Sequence, residues 1–148
     1  MKKTFFLFLF MGMAIYARCQ NSADKDAIIK LLEKESATWR SGDAKGHADC
    51  WYIEPYSRIL VSAADGSMFD VPPQRMIDPA PGMMGKGGTS VNSNYKMSIH
   101  GNDAWVSHDE ESTATDGKKS YSSEIRILEK IKGRWKLVAQ SIHLYNRK

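Results

Sequence analysis

The chain has 148 residues with 21 Lys and Arg, 17 Asp and Glu and two cysteines, and its formal net charge is +4 with neutral histidines. Lys2, Lys3 and Arg18 fall in the first 19 positions together with no acidic residue, so the charges of residues 20–148 nearly balance. This balance gives no basis for nucleic-acid binding, which depends on a strongly basic domain or patch, and the length is that of one domain.

The N-terminal segment has the three parts of an export signal. Two lysines precede an apolar run at residues 5–15, and Ala17 and Cys19 are small residues at the −3 and −1 positions of a cleavage site. The apolar run is shorter than the roughly 20 residues that a membrane-spanning helix needs. We therefore expect a signal peptide at residues 1–19, a single domain at residues 20–148, an extracytoplasmic (periplasmic or secreted) location and no membrane span.

Cysteine and histidine positions limit the covalent and metal chemistry. After cleavage Cys50 is the one cysteine left, so no disulfide can form within the chain. Cys19 could alternatively become the lipidated first residue, but Arg18 stands where such sites have a small residue. His47 and Cys50 have metal-ligand side chains at a helical spacing, but a metal site needs three or four ligands and no second cluster matches. We predict no metal and no cofactor.

The first part of the exported chain is predicted to be helical. Residues 22–24 (SAD) are typical of a helix start, and an amphipathic stripe at i, i+3 and i+4 spacing follows them. Gly42 suits the left-handed residue that ends a helix, and Asp43 is expected to cap a second, short helix that reaches about residue 51.

The rest of the chain is predicted to form strands. They are expected at residues 57–63, 67–71, 92–100, 104–115, 119–131 and 134–145. The turns are taken as two-residue turns with glycine where a positive φ is needed: Asp65-Gly66, Gly101-Asn102, Asp116-Gly117 and Lys132-Gly133. Residues 78–90 hold two prolines and four glycines, which predicts a long loop; its glycines around Lys86 lack the residue order of a phosphate-binding P-loop.

Pairing through two-residue turns assigns each side chain to a face of the sheet. The face expected to pack under the helices includes Tyr95, Met97, Val106, His108, Glu110, Ile125 and Gln140. The face expected to meet solvent or a partner includes Trp105, Glu124, Arg126, Leu128, Trp135 and Leu137.

Three segments resemble motifs of nuclear transport factor 2-like domains. They are residues 39–43 (WRSGD), 101–106 (GNDAWV) and 133–138 (GRWKLV), and the resemblance is closest to SnoaL-like proteins and secreted bacterial members. It implies an α+β cone in which N-terminal helices pack on a curved, mainly antiparallel sheet with a pocket between them. That superfamily contains enzymes and non-enzymatic binders, so the fold by itself selects neither.

The candidate site is an apolar pocket with a few polar groups, as in small-molecule binding proteins. We expect it to bind an unknown small hydrophobic molecule, and the expected ligand-binding residues are Trp39, Trp51, Tyr56, Tyr95, Met97, Val106, Ile125 and Gln140. The alternative is a cofactor-independent lyase, isomerase or hydrolase in which His108 and Glu110 form an acid/base pair. In a further alternative the protein is a dimeric interaction module, since Trp105, Leu128, Trp135 and Leu137 would form an apolar patch on the outer face that suits a homodimer.

Overall fold

The computed structural model describes the backbone of residues 3–147 and the side chains of residues 22–147. The predicted signal peptide at residues 1–19 lies outside the residues whose side chains are described. Within the described part of the chain, no helix combines the length and the apolar character that a membrane crossing requires.

Two helices precede the sheet, α1 (Lys3–Ser41) and α2 (Ala44–Ala48). As predicted, Gly42 follows α1 with a positive φ of 76°, and the Asp43 carboxylate caps α2 by accepting a 2.9 Å hydrogen bond from Gly46 N. The predicted helix start at residues 22–24 is wrong, because α1 is continuous through them. Asp24 Oδ1 instead accepts hydrogen bonds from Lys130 Nζ at 2.5 Å and Trp135 Nε1 at 3.0 Å, which join the helix to the sheet.

The strands form one six-stranded sheet in the order β2-β1-β6-β5-β4-β3. Their bounds are β1 (Ile59–Ser62), β2 (Met68–Val71), β3 (Thr89–His100), β4 (Asp103–Thr113), β5 (Lys119–Ile131) and β6 (Arg134–Tyr145), with a 3-10 turn at Pro73–Met76. Neighbouring strands are antiparallel except β1 and β6, which run parallel. The predicted α+β architecture and every predicted strand are therefore confirmed, with ends shifted by a few residues.

Two turns differ from their predictions, and the first is Asp65-Gly66: Ala63 N donates to Ser67 O at 2.8 Å, so the loop between β1 and β2 holds three residues and not two. The second is the turn between β4 and β5. Ala114 N donates to Lys118 O at 2.9 Å, so the loop between them holds three residues and not two. Asp116 Oδ1 accepts from Lys118 N at 2.9 Å, and Gly117 has a φ of 82°, as in a three-residue hairpin loop that ends on a left-handed glycine.

One extra loop residue turns every β5 side chain to the opposite face. Glu124 and Arg126 consequently point inward and are buried, whereas Ile125 and Ile127 lie on the outer face and are 37% and 36% exposed. The predicted inward position of Ile125 is therefore wrong.

A β-bulge in β6 restores the predicted inward and outward orientation of the side chains in the second half of that strand. Leu128 pairs with Leu137, but the next pair is Ile127 with Ala139, so Val138 is the extra residue. Beyond the bulge Gln140 points inward, as predicted.

The predicted outer apolar patch is wrong at three of its four residues, because Leu128, Trp135 and Leu137 are buried in the core beneath α1. The extra loop residue turns Leu128 inward, and Trp135 and Leu137 precede the bulge in β6. Trp105 alone of the four faces outward, with 41% of its surface exposed.

The hydrophobic core fills the space between α1 and one end of the sheet. Its fully buried members are Ile28, Leu32, Cys50, Ile59, Val106, Leu128, Leu137 and Val138. Each fully buried large aliphatic side chain contributes about 1.5–3 kcal/mol to folding. Since these residues occupy one end, the polar and charged inward side chains collect at the other.

Candidate functional site

A cavity of about 520 Å³ lies between the C-terminal half of α1 and the inner face of the sheet. One wall is apolar and comes from β1, β2, β6 and the loops beside them, through Ile59, Val61, Val71, Met76, Met83, Ile142 and Leu144. The opposite wall carries hydroxyl groups from the ends of β4 and β5, through Ser112, Thr113, Thr115, Ser120 and Ser122. The cavity is therefore amphipathic, with a charged floor between the two walls.

Arg126 is the centre of that floor and is 3% exposed. Its Nη2 donates to Glu124 Oε2, its Nη1 donates to Gln140 Oε1, and Nη1 also lies 3.4 Å from Glu35 Oε2. Burial alone would lower the pKa of Arg126, but the charges of Glu124 and Glu35 outweigh burial and raise it. The guanidinium therefore stays charged and joins β5 and β6 to α1.

Glu35 and His47 form a second pair on the floor. His47 Nε2 lies 3.0 Å from Glu35 Oε1, and His47 Nδ1 donates to the Met76 carbonyl oxygen at 2.8 Å. Burial raises the pKa of Glu35, but Arg126 and the hydrogen bond to His47 together hold it below its ordinary value. The His47 ring also packs against Trp39, with 4.9 Å between the ring centroids.

Glu110 lies nearer the rim, in a cluster with α1. Arg40 Nη1 donates to Glu110 Oε1 at 3.2 Å, Ser36 Oγ donates to Oε2, and Ser112 Oγ donates to Oε1 at 2.6 Å. A cation and two hydroxyl groups therefore occupy both oxygens of this carboxylate.

His108 is buried outside the cavity lining, stacked on Tyr95 with 5.2 Å between ring centroids. Its Nε2 lies 3.5 Å from Glu124 Oε2, but neither ring nitrogen has a hydrogen-bond partner among the described residues. Burial lowers the pKa of His108 and the nearby Arg126 charge lowers it further, so the ring is neutral. His108 and Glu110 thus point toward different surroundings and do not form a mutual acid/base pair in the structure.

The glycine-rich part of the predicted loop, residues 83–88, closes one side of the cavity, and we call it the strap. Gly85 N donates to Trp39 O at 3.0 Å and Gly87 N donates to Arg40 O at 2.6 Å, so the strap occupies carbonyl groups at the end of α1. A Cβ on Gly85 would come within 2.7 Å of Arg40 O, which explains why glycine stands there.

The residues predicted from the sequence divide between the cavity and the rest of the domain. Trp39, Glu110 and Gln140 line the cavity. The others lie in or against the hydrophobic core (Trp51, Tyr95, Met97, Val106), at the surface (Tyr56, Ile125), or beside the core (His108).

Sequence reasoning missed most of the charged floor. The missed residues are Glu35, His47, Glu124 and Arg126 on the floor, together with Arg40 at the rim. Glu35 carried a usable signal, because it is a carboxylate within the apolar stripe of the first helix. Glu124 and Arg126 carried no sequence signal that is independent of the strand register, since a one-residue error in the register places both side chains in solvent.

Metal binding has no ligand set in the part of the chain that the structure describes: no three His, Cys, Asp or Glu side chains are grouped to hold an ion. The chemistry available in the cavity is thus hydrogen bonding, apolar contact and proton exchange at Glu35 and His47.

No protein-family model and no curated protein matches the sequence. Solved structures do match it. A nuclear transport factor 2-like protein of unknown function from Shewanella baltica OS155 is similar over 85% of this chain and 97% of its own, with 16% identity and a TM-score of 0.64. A nuclear transport factor 2-like protein with a cystatin-like fold from Novosphingobium aromaticivorans is similar over 90% of each chain, with 15% identity and a TM-score of 0.67.

A nuclear transport factor 2-like protein from Cytophaga hutchinsonii is similar over 81% of this chain and 97% of its own, with 17% identity and a TM-score of 0.62. Identities this low carry information about the fold and not about the site. The chain has the nuclear transport factor 2-like, cystatin-like fold that its sequence predicted.

Proposed function

We propose that the protein binds a small organic molecule in the cavity between α1 and the sheet. The observation that carries this proposal is a cavity of about 520 Å³ with one apolar wall and a floor of mutually paired charges. Ligand pockets of roughly 300–1,000 Å³ with mostly apolar walls and a few placed polar groups are typical of small-molecule sites. Because each charge of the floor has a partner of opposite sign, an apolar ligand can enter without leaving an unpaired ion.

A matched pair of tryptophan substitutions tests the proposal. Val61 lines the cavity, whereas Val91 is 67% exposed on β3. Using 1-decanol as a neutral probe in calorimetric titration, we expect wild type and Val91→Trp to bind it and Val61→Trp not to. Undiminished binding by Val61→Trp would place the ligand elsewhere and contradict the proposal.

Catalysis is the second candidate, and one observation favours it. A histidine–glutamate pair does line the cavity, but it is His47 with Glu35 at 3.0 Å and not the predicted His108 with Glu110. Such a pair can move a proton to and from a bound substrate, as a cofactor-independent lyase, isomerase or hydrolase requires. The lowered pKa of Glu35 makes that carboxylate a weak base, which is why binding is our first proposal.

Turnover by a Glu35→Gln variant decides between binding alone and catalysis. The variant keeps the shape of the side chain and removes its charge, so a catalytic pair loses its activity toward any compound that wild type converts. Retained conversion would remove Glu35 from the mechanism.

We also propose that the protein is exported and that residues 1–19 are removed. The support is the sequence pattern of two lysines, an apolar run and small residues at Ala17 and Cys19. The intact mass of the protein isolated from its own cells tests this, because cleavage leaves Gln20 as the first residue. A mass that includes residues 1–19 would contradict export by this route.

A homodimer through the outer face of the sheet is proposed in a corrected form. The predicted patch is replaced by Trp105, Ile125 and Ile127, of which Trp105 and Ile127 are direct partners on β4 and β5. All three are 36–41% exposed. We expect Trp105→Glu to produce a monomer in sedimentation analysis and Lys118→Glu, exposed in the turn between β4 and β5, to leave the dimer intact. A monomeric wild type, or a dimer that persists in Trp105→Glu, would contradict this interface.

A further inference from the structure

Two cations at the rim of the cavity have donors that no described residue occupies. Arg40 Nη1 donates to Ser36 and Glu110, but no acceptor among the described residues contacts Arg40 Nη2 or Nε. Lys86 lines the cavity from the strap, and its side chain has no ion-pair partner in the described part of the chain. Donors of this kind remain available to a ligand.

The backbone fixes the position of Lys86 beside Arg40. Gly85 and Gly87, the residues on either side of Lys86, donate their backbone N–H groups to the carbonyl oxygens of Trp39 and Arg40. Lys86 is therefore held between two anchored neighbours, directly over the last turn of α1. The strap thereby fixes the position of the Lys86 backbone, and the Lys86 side chain is exposed.

Charge is distributed unevenly between the rim and the floor. The lining of the rim includes two cations, Arg40 and Lys86, and one carboxylate, Glu110, which is paired with Arg40. On the floor the Glu35 and Glu124 carboxylates surround Arg126. An anionic group is therefore attracted to the rim and repelled from the carboxylates of the floor.

The hydroxyl wall adds donors near the same rim. Thr113, Thr115 and Ser120 line the cavity there, and no described hydrogen bond occupies their side chains. Neutral hydroxyl donors and two cations together match an oxyanion that has several acceptor lone pairs.

From this arrangement we propose that the ligand is an amphipathic carboxylate: its anionic head lies between Arg40 and Lys86, and its apolar body lies along the wall formed by Ile59, Val61, Val71 and Ile142. The inference rests on the proposed binding function and specifies the class of ligand. Arg40 also holds Glu110 and α1 in place, so Lys86 is the residue that can be changed without disturbing the fold.

The test compares two probes with the same ten-carbon chain, decanoate and 1-decanol, in calorimetric titration of the mature protein. We expect decanoate to bind wild type about tenfold more tightly than 1-decanol, which corresponds to about 1.4 kcal/mol. Lys86→Gln should remove that preference and leave 1-decanol unaffected. The control Lys96→Gln, exposed on the outer face of β3, should retain the preference, and added salt should weaken decanoate binding alone.

Each outcome separates this inference from the function on which it rests. Equal affinity of wild type for both probes, or a carboxylate preference that survives Lys86→Gln, would overturn the proposed head-group site while the binding cavity stands. Binding of neither probe would overturn the binding function together with the inference.

Discussion

Arg126 Nη1 and Glu35 Oε2 lie 3.4 Å apart with almost no exposure to solvent, so β5 and α1 are joined by an ion pair inside the domain. Glu124 is the second carboxylate on the same guanidinium. Taking charges out of water is expensive, and the arrangement is stable only because each charge has a partner. The floor of the cavity is therefore a single unit, in which loss of one member leaves the others uncompensated.

Removing Arg126 tests this unit. We expect Arg126→Met to lower the free energy of unfolding by about 3–5 kcal/mol, because two buried carboxylates lose their counter-ion. Urea denaturation measures the change. The deficit should shrink as the pH falls, because protonation of Glu35 removes buried negative charge that Arg126 no longer compensates.

An exposed ion pair provides the control for that substitution. Arg58 and Asp70 are paired at 3.0 Å at the surface, and Arg58→Met should cost about 1 kcal/mol or less. Equal effects of the two substitutions would contradict a special role for the buried pair.

Stability should decrease as the pH falls below about 6.5 because of His108. The folded-state pKa of His108 lies below its ordinary value of 6.5, so the unfolded chain takes up the proton first and folding is disfavoured as acid is added. The slope from one such group is at most about 1.4 kcal/mol per pH unit. Below the ordinary value of 4.5, the lowered pKa of Glu35 adds a loss of the same sign.

Variants at two histidines identify the source of that slope. His108→Phe keeps the ring stacked on Tyr95 but cannot titrate, so its unfolding free energy should be flat between pH 5 and 6.5, as judged from urea midpoints. His143→Gln, at an exposed position, should behave as wild type does. A slope that persists in His108→Phe would assign the effect to another group.

The strap can be tested with two glycines that both have positive φ. A Cβ on Gly88 would lie 2.4 Å from Thr113 O, whereas a Cβ on Gly82 would meet nothing within 4 Å. Both Gly→Ala changes should carry a backbone cost of about 1 kcal/mol, but only Gly88→Ala should also displace the strap and weaken ligand binding. The melting temperature and the decanoate affinity of the two variants check this, and equal behaviour would show that the close contact with β4 is unimportant.

Cys50 should be unreactive in the folded protein. Its side chain is fully buried, and burial raises the pKa of the thiol to about 11, so the nucleophilic thiolate is scarce at neutral pH. We expect no labelling by iodoacetamide over hours in native buffer and complete labelling in denaturant. Rapid native labelling would indicate that the contact between α2 and the core opens readily.

The fold was predictable because its signals are local. The cap at Asp43, the left-handed Gly42 and the apolar β-rich segments each determine structure within a few residues. The motif at residues 101–106 covers a two-residue turn whose pairing, Ile99 with Ala104, is as predicted.

The charged floor was not predictable, because the apolar residues of β5 lie on the outer face of the sheet and its charged residues lie on the inner face. Ile125 and Ile127 face outward while Glu124 and Arg126 face inward, so an apolar-in assignment reverses the strand. The deciding feature is the Asp116 side chain, which accepts from the backbone two residues later and supports a three-residue loop. The same geometry recurs at Asp65, which accepts from Ser67 N at 2.9 Å. Local rules fail here at the site itself, where buried charges replace a conventional core.

Native mass spectrometry on wild type and Val61→Trp, both purified gently from the protein's own host, tests the central claim most directly. Our account predicts a defined additional mass on the wild-type polypeptide that dissociates on collisional activation and is absent from Val61→Trp. The identity of that mass would also show whether the ligand carries a carboxylate. Bare polypeptide in the wild type, or the same adduct on both proteins, would contradict a ligand bound in the cavity between α1 and the sheet.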